Sequence, residues 1–177
     1  MNMQSLIQEK KEALGIHEYA FLKSTDVIFS EEVRKLCEAN ACGQYAKTWA
    51  CPPGVGTVEA CKEKCLQFEN VFFFSTLHSI EDSFDFEGMA DAKKKHTVLS
   101  DAIDNLFAEF FPNRLTLAGE SCDKCKTCAY PEPCRFPEQL KPSIEAYGVF
   151  VFHQAKQCGM HYINGVNTVT YFSMIFF

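Results

Sequence analysis

The run Val71-Phe72-Phe73-Phe74-Ser75-Thr76-Leu77 decides the fold. It is apolar, aromatic and short, so it reads as a buried strand and is far too brief to span a bilayer. Before it, Thr57 is placed to cap a helix whose apolar face is Val58, Cys61, Cys65 and Phe68, at steps of three, four and three. After it and an acidic segment comes the clearest helix, where Met89, Ala92, His96, Leu99, Ile103, Phe107 and Phe110 recur at steps of three and four. Further out, residues 3–14 form a helix with Met3, Leu6, Ile7 and Leu14 on one side, and a strand lies within His17–Phe29. Ser30 caps a helix carrying Val33, Leu36 and Cys37 on one face, with Glu31 and Glu32 suited to its dipole. Arg114 to Ala118 reads as a short strand, Pro142 to about Cys158 as helix broken near Gly148, and Asn167 to Phe177 as a final strand. Strands alternating with helices predict a mixed α/β (α+β) sandwich, helices on a central sheet of about four strands. Residues 1–177 are expected to form one metal-binding domain, with the cysteine-rich stretches as loops from it.

The chain is long enough for a hydrophobic core, with 47% hydrophobic and 23% charged residues in 177. It does not need cross-links to hold together, yet it has ten cysteines. The N-terminal Met1 to Lys11 has no continuous apolar core of the signal-peptide kind. A cytoplasmic setting follows as the expectation, where thiols stay reduced and clustered cysteines hold metal. The net charge of −6, with Glu81, Asp82, Asp85 and Glu87 bunched together, argues against a nucleic-acid partner. Lys93-Lys94-Lys95 reads as a solvated helix face.

The strongest chemical signal is Cys122, Cys125, Cys128 and Cys134, spaced Cys-x2-Cys-x2-Cys-x5-Cys. A cubane 4Fe-4S cluster needs a thiolate on each of four neighbouring irons, and two consecutive two-residue spacers let one loop reach three corners. Bacterial ferredoxin runs share the first three spacings, but their fourth cysteine follows after three residues, serves another cluster and precedes Pro. Here the last spacer is longer and Arg135 follows, so Cys134 can close the same cluster. Zinc is the rival, though it usually takes two separated Cys-x2-Cys pairs. Four unliganded thiols so close together would be an oxidation hazard.

Cys37, Cys42 and Cys51 form a looser set, beside Gly43, Tyr45, Trp49 and Pro52-Pro53. Three thiolates can hold a 4Fe-4S cluster with one iron open to substrate, or a fourth ligand comes from Cys61, Cys65, Cys158 or a histidine. Cys61 and Cys65 sit on an apolar helical stripe, and they and Cys158 are read as packing residues. Tyr45 and Trp49 either shield a cofactor or pack.

Both sets together resemble a family known as predicted metal-binding proteins, common in anaerobic bacteria and archaea. The matching residues are Cys37, Cys42, Tyr45, Trp49 and Cys51-Pro52-Pro53, then Gly119, Cys122, Cys125, Cys128, Pro133-Cys134-Arg135, Pro137 and Ser143-Ile144-Glu145-Ala146-Tyr147-Gly148. The resemblance implies metal binding by Cys37, Cys42, Cys51, Cys122, Cys125, Cys128 and Cys134, and implies no particular reaction. Where the family continues after the glycine with an aliphatic residue and an acid, this chain has Val149-Phe150-Val151.

No zinc-protease helix, phosphate loop, nucleophile elbow or dinucleotide fingerprint is present. His96 reads as a satisfied core histidine, and Glu145 and Arg135 as capping or ion-pairing residues near the second set. The expected function is an iron–sulfur protein with one or two 4Fe-4S clusters in electron transfer to a redox partner. The alternatives are an iron–sulfur enzyme acting on a small molecule at Cys37, Cys42 and Cys51, or a structural zinc protein.

Overall fold

The computed structural model describes residues 2–177, so Met1, first residue of the expected 1–177 unit, lies outside the described residues. Strands β1 (Tyr19–Lys23), β2 (Asn70–Ser79), β3 (Leu115–Leu117) and β4 (Thr168–Phe176) form one antiparallel sheet. Their order is β1-β2-β4-β3, which puts the expected central run and the last strand side by side in the middle. Side chains on a strand alternate between faces. Phe72, Phe74 and Ile175 therefore enter one core with Ile7, Ile103 and Phe107, while Val71, Phe73, Met174 and Phe176 enter the other. Burial on both faces is why β2 is continuously apolar instead of alternating.

Helix α1 (Met3–Lys10) and the long α4 (Phe86–Phe110) cover the first face, with Phe107 stacked on Phe72 at 5.2 Å between centroids. The second face is covered by α3 (Val58–Cys65), α5 (Val151–Gln157) and the irregular segments, with α2 (Glu31–Glu38) packed on a 3-10 turn at Glu145–Tyr147. The mixed α/β expectation is met, and Cys61 and Cys65 are fully buried in the second core. Helix α4 starts earlier than its apolar stripe, because Asp85 accepts from Gly88 N at 2.8 Å and caps it.

Two local expectations change. Leu36 is 69% exposed, while Val33 and Arg34 are buried. The face of α2 that meets the 3-10 turn runs through Arg34 and Cys37, so Leu36 points away. Phe110 is also exposed, since the buried stripe of α4 ends at Phe107. The segment 142–158 is broken at Gly148 as expected, into the 3-10 turn Glu145–Tyr147 and α5. Between them Gly148 adopts φ 78, where a Cβ would meet the Val58 side chain at 2.8 Å.

Two buried polar networks tie α4 to the sheet. His96 Nδ1 and Nε2 bond Thr76 Oγ1 at 2.8 Å and Ser173 Oγ at 2.9 Å, so this histidine is a satisfied core residue. Burial pushes its pKa down to about 4, keeping the ring neutral. Asp104 accepts from Arg114 Nε at 2.7 Å and Thr116 Oγ1 at 2.5 Å and pairs with Lys141, fixing β3 against α4. Burial raises the Asp104 carboxyl, but these partners outweigh it and hold its pKa at about 2. The first network ties α4 to β2 and β4, and the second fixes β3, the strand that leads into the second cysteine loop.

Candidate metal centre

Cys37 lies in the last turn of α2, and the chain then folds through a series of tight turns. Asn40 N donates to Cys37 O and Gly43 N to Asn40 O, each at 3.0 Å, and Ala46 N donates to Pro52 O at 2.8 Å. Asn40, Gly43 and Ala46 all have positive φ, and for Ala46, at 56°, that costs about 1–2 kcal/mol. Gly54 is needed at the closure, since a Cβ there would lie 2.8 Å from Thr48 O. These turns hold Cys51 in a buried position and leave Cys37 half-buried and Cys42 exposed.

The second set follows β3. Ala118 N donates to Pro142 O at 2.7 Å and Ile144 N to Ala118 O at 3.0 Å, while Ser143 N donates to Ala50 O at 3.4 Å. Three segments thus meet at Ala50, Ala118 and Ser143, and the residues just beyond them face one another. Cys37, Cys42 and Cys51 share a cleft of ≈ 450 Å³ with Cys122 and Glu145, a volume in the range of small-molecule sites, about 300–1,000 Å³. Lys93, paired with Glu120 at 3.4 Å, stands at its edge.

The rest of the second loop turns away. Cys134 lines a separate depression with Trp49, Pro131, Pro133 and Leu140, and Cys125 and Cys128 line neither. Trp49 joins the two loops: its Nε1 donates to Glu132 O at 2.8 Å and its ring meets Tyr130 edge-on at 5.0 Å. Arg135 Nη1 donates to Thr127 O at 2.9 Å, which closes the hairpin carrying Cys128 and Cys134.

Arg34, which the sequence reading passed over, lies behind the cleft. It is buried, donates to Gly56 O at 2.6 Å and Ala146 O at 2.8 Å, and its Nε has no partner. Among the described residues no carboxylate pairs with it. A buried cation without a counter-charge is costly. Its position one helical turn before Cys37 was the available signal. Burial pushes the Cys37 thiol up, Glu145 adds to that, and Arg34 opposes both. Burial likewise lifts the Glu145 carboxyl to about 7.

All ten cysteines are free thiols. Among the described residues no group of three or more histidine, cysteine, aspartate or glutamate side chains is arranged to hold a metal ion. The donor chemistry fits a thiolate-bound metal group nonetheless. Thiols from two loops open on one cleft, and the charge of Arg34, unpaired with any carboxylate among the described residues, matches the negative charge that bound thiolates carry.

A mixed α/β domain with two cysteine-rich loops beside one cleft belongs among the thiol-bearing, metal-binding types. The chain is a member of the family described as predicted metal-binding protein (DUF2284), whose model matches residues 20–177. No curated protein and no solved structure matches it.

Proposed function

We propose that this chain is a cysteine-ligated iron–sulfur protein in electron transfer, its thiolates holding one or two 4Fe-4S clusters. The observation that carries the proposal is the cleft in which Cys37, Cys42 and Cys51 meet the start of the second cysteine loop, beside the uncompensated Arg34. The proposed ligands are the thiolates of Cys37, Cys42, Cys51, Cys122, Cys125, Cys128 and Cys134. When bound, such a cluster supplies one-electron redox chemistry, with a potential set by burial, nearby charge and hydrogen bonds to sulfur. Arg34 favours the more negative, thiolate-rich state of the cleft, and Trp49 keeps the two loops in contact. Ten free thiols suit a reducing compartment, so the protein is assigned to the cytoplasm, with a redox protein as partner.

The same cleft favours a second reading. Its volume and the Glu145 carboxyl at its wall suit a small-molecule substrate, which would make this an iron–sulfur enzyme. The deciding measurement is iron, zinc and acid-labile sulfide per chain in protein purified without oxygen. Iron and sulfide in equal amounts, about four or eight of each, support the proposal. Zinc without sulfide sinks it and leaves a structural zinc protein.

A further inference from the structure

The seven motif cysteines do not divide in space as they divide in sequence. Cys122 opens into the cleft with Cys37, Cys42 and Cys51, whereas Cys134 opens on the depression under Trp49. We infer that Cys122 is the fourth thiolate of the cleft site, and that Cys125, Cys128 and Cys134 form a separate three-thiolate site. This deepens the iron–sulfur reading above and rests on it.

Three features set this division. The junction of Ala50, Ser143 and Ala118 puts Cys51 and Cys122 within a few residues of the same hydrogen-bonded point. Ser121 Oγ lies 3.4 Å from Thr48 Oγ1, which holds the residue before Cys122 to the segment before Cys51. On the far side, the Arg135 bond to Thr127 O and the turn from Glu132 N to Ala129 O keep Cys134 with Cys128. A motif shared between two clusters is ordinary chemistry: in two-cluster ferredoxins the last cysteine of the run serves the other cluster. Here the first cysteine does so. A fourth thiolate also puts more negative charge where Arg34 is buried without a counter-charge.

If a cluster binds in the cleft, Cys37, Cys42, Cys51 and Cys122 would supply four thiolates to it, and the outer loop would offer three, from Cys125, Cys128 and Cys134.

The test compares Cys51→Ala, Cys122→Ala and Cys125→Ala in full-length protein purified without oxygen, by iron and sulfide content and by the electron paramagnetic resonance of the reduced protein. Cys122→Ala is expected to lose the same signal as Cys51→Ala and to keep the one that Cys125→Ala loses, with about half of the iron and sulfide gone. Grouping of Cys122→Ala with Cys125→Ala, or identical behaviour of all three, overturns the inference and leaves the iron–sulfur reading standing. Wild-type protein with no iron and sulfide overturns both. If Cys122→Ala fails to fold, Cys122→Ser decides by the same readout: weakening of the Cys51 signal upholds the division, and weakening of the Cys125 signal refutes it.

Discussion

Between Cys37 and Gly56 the backbone closes one turn after another, with Asn40, Gly43, Ala46, Lys47, Cys51, Val55 and Gly56 all donating to nearby carbonyls. Between Gly119 and Arg135 only one such bond is found among the described residues, from Glu132 N to Ala129 O at 2.9 Å. The first loop has its shape written into its own hydrogen bonds and left-handed residues. The second hangs from side chains at its rim, Trp49 and Arg135, with its thiols as the main means of fixing the rest. If both loops hold metal as proposed, the first would be built before the ligand arrives and the second completed by it.

The contrast can be broken most directly by stripping the metal. Amides of residues 120–131 should then exchange faster by on the order of a hundredfold, and trypsin should cut after Lys124 and Lys126, while residues 40–56 change far less. Hydrogen exchange by mass spectrometry reads both loops at once, and equal loosening would erase the distinction.

Acid tests the support beneath the second loop. Gly119 packs on His96, where a Cβ would lie 3.0 Å from Nε2. Burial holds the folded pKa of His96 at about 4, below the ordinary histidine value of 6.5. The unfolded chain therefore binds the proton more readily, so stability is full above about pH 6.5 and falls as pH drops toward 4. The loss should be about 2–3 kcal/mol. Urea unfolding at several pH values measures it, and His96→Gln should flatten that part of the profile.

Arg34→Met acts on the first loop by removing the bonds to Gly56 O and Ala146 O. A net loss of about 2 kcal/mol is expected, since removal of a buried charge offsets part of the lost hydrogen bonding. The same variant should lower the reduction potential of the cleft group, because a nearby cation favours added electrons. An unchanged potential would detach Arg34 from the site. The smallest effect falls to Arg135→Gln. Its exposed single bond to Thr127 O is expected to contribute under about 1 kcal/mol to the fold, visible chiefly as faster exchange in the second loop.

Much of the fold was legible because periodicity reports burial. The aromatic run became β2, the three-and-four stripe became α4, and the caps at Ser30 and Thr57 hold, accepting from Glu32 N and Ala60 N. Strand order was not legible, since a β2–β4 pairing across about ninety residues leaves no local mark. The metal character of the loops could be read from cysteine spacing, and the family bears out that coarser statement. The direction in which each thiol points could not. In a segment without regular structure no period relates neighbouring side chains, so Cys122 and Cys134 look equivalent along the chain. Arg34 escaped notice because an arginine on a short charged helix ordinarily faces water.

The sheet order has a consequence for biosynthesis. Strand β4 lies between β2 and β3, yet it follows both cysteine loops in the chain. A polypeptide emerging from the ribosome presents all seven motif thiols before the strand that joins the two halves of the sheet exists. Until residues 168–176 emerge, β3 has no neighbour and the junction behind the cleft lacks its backing. Loading of the cleft is therefore expected to wait for β4, with the nascent thiols depending on the reducing power of their surroundings.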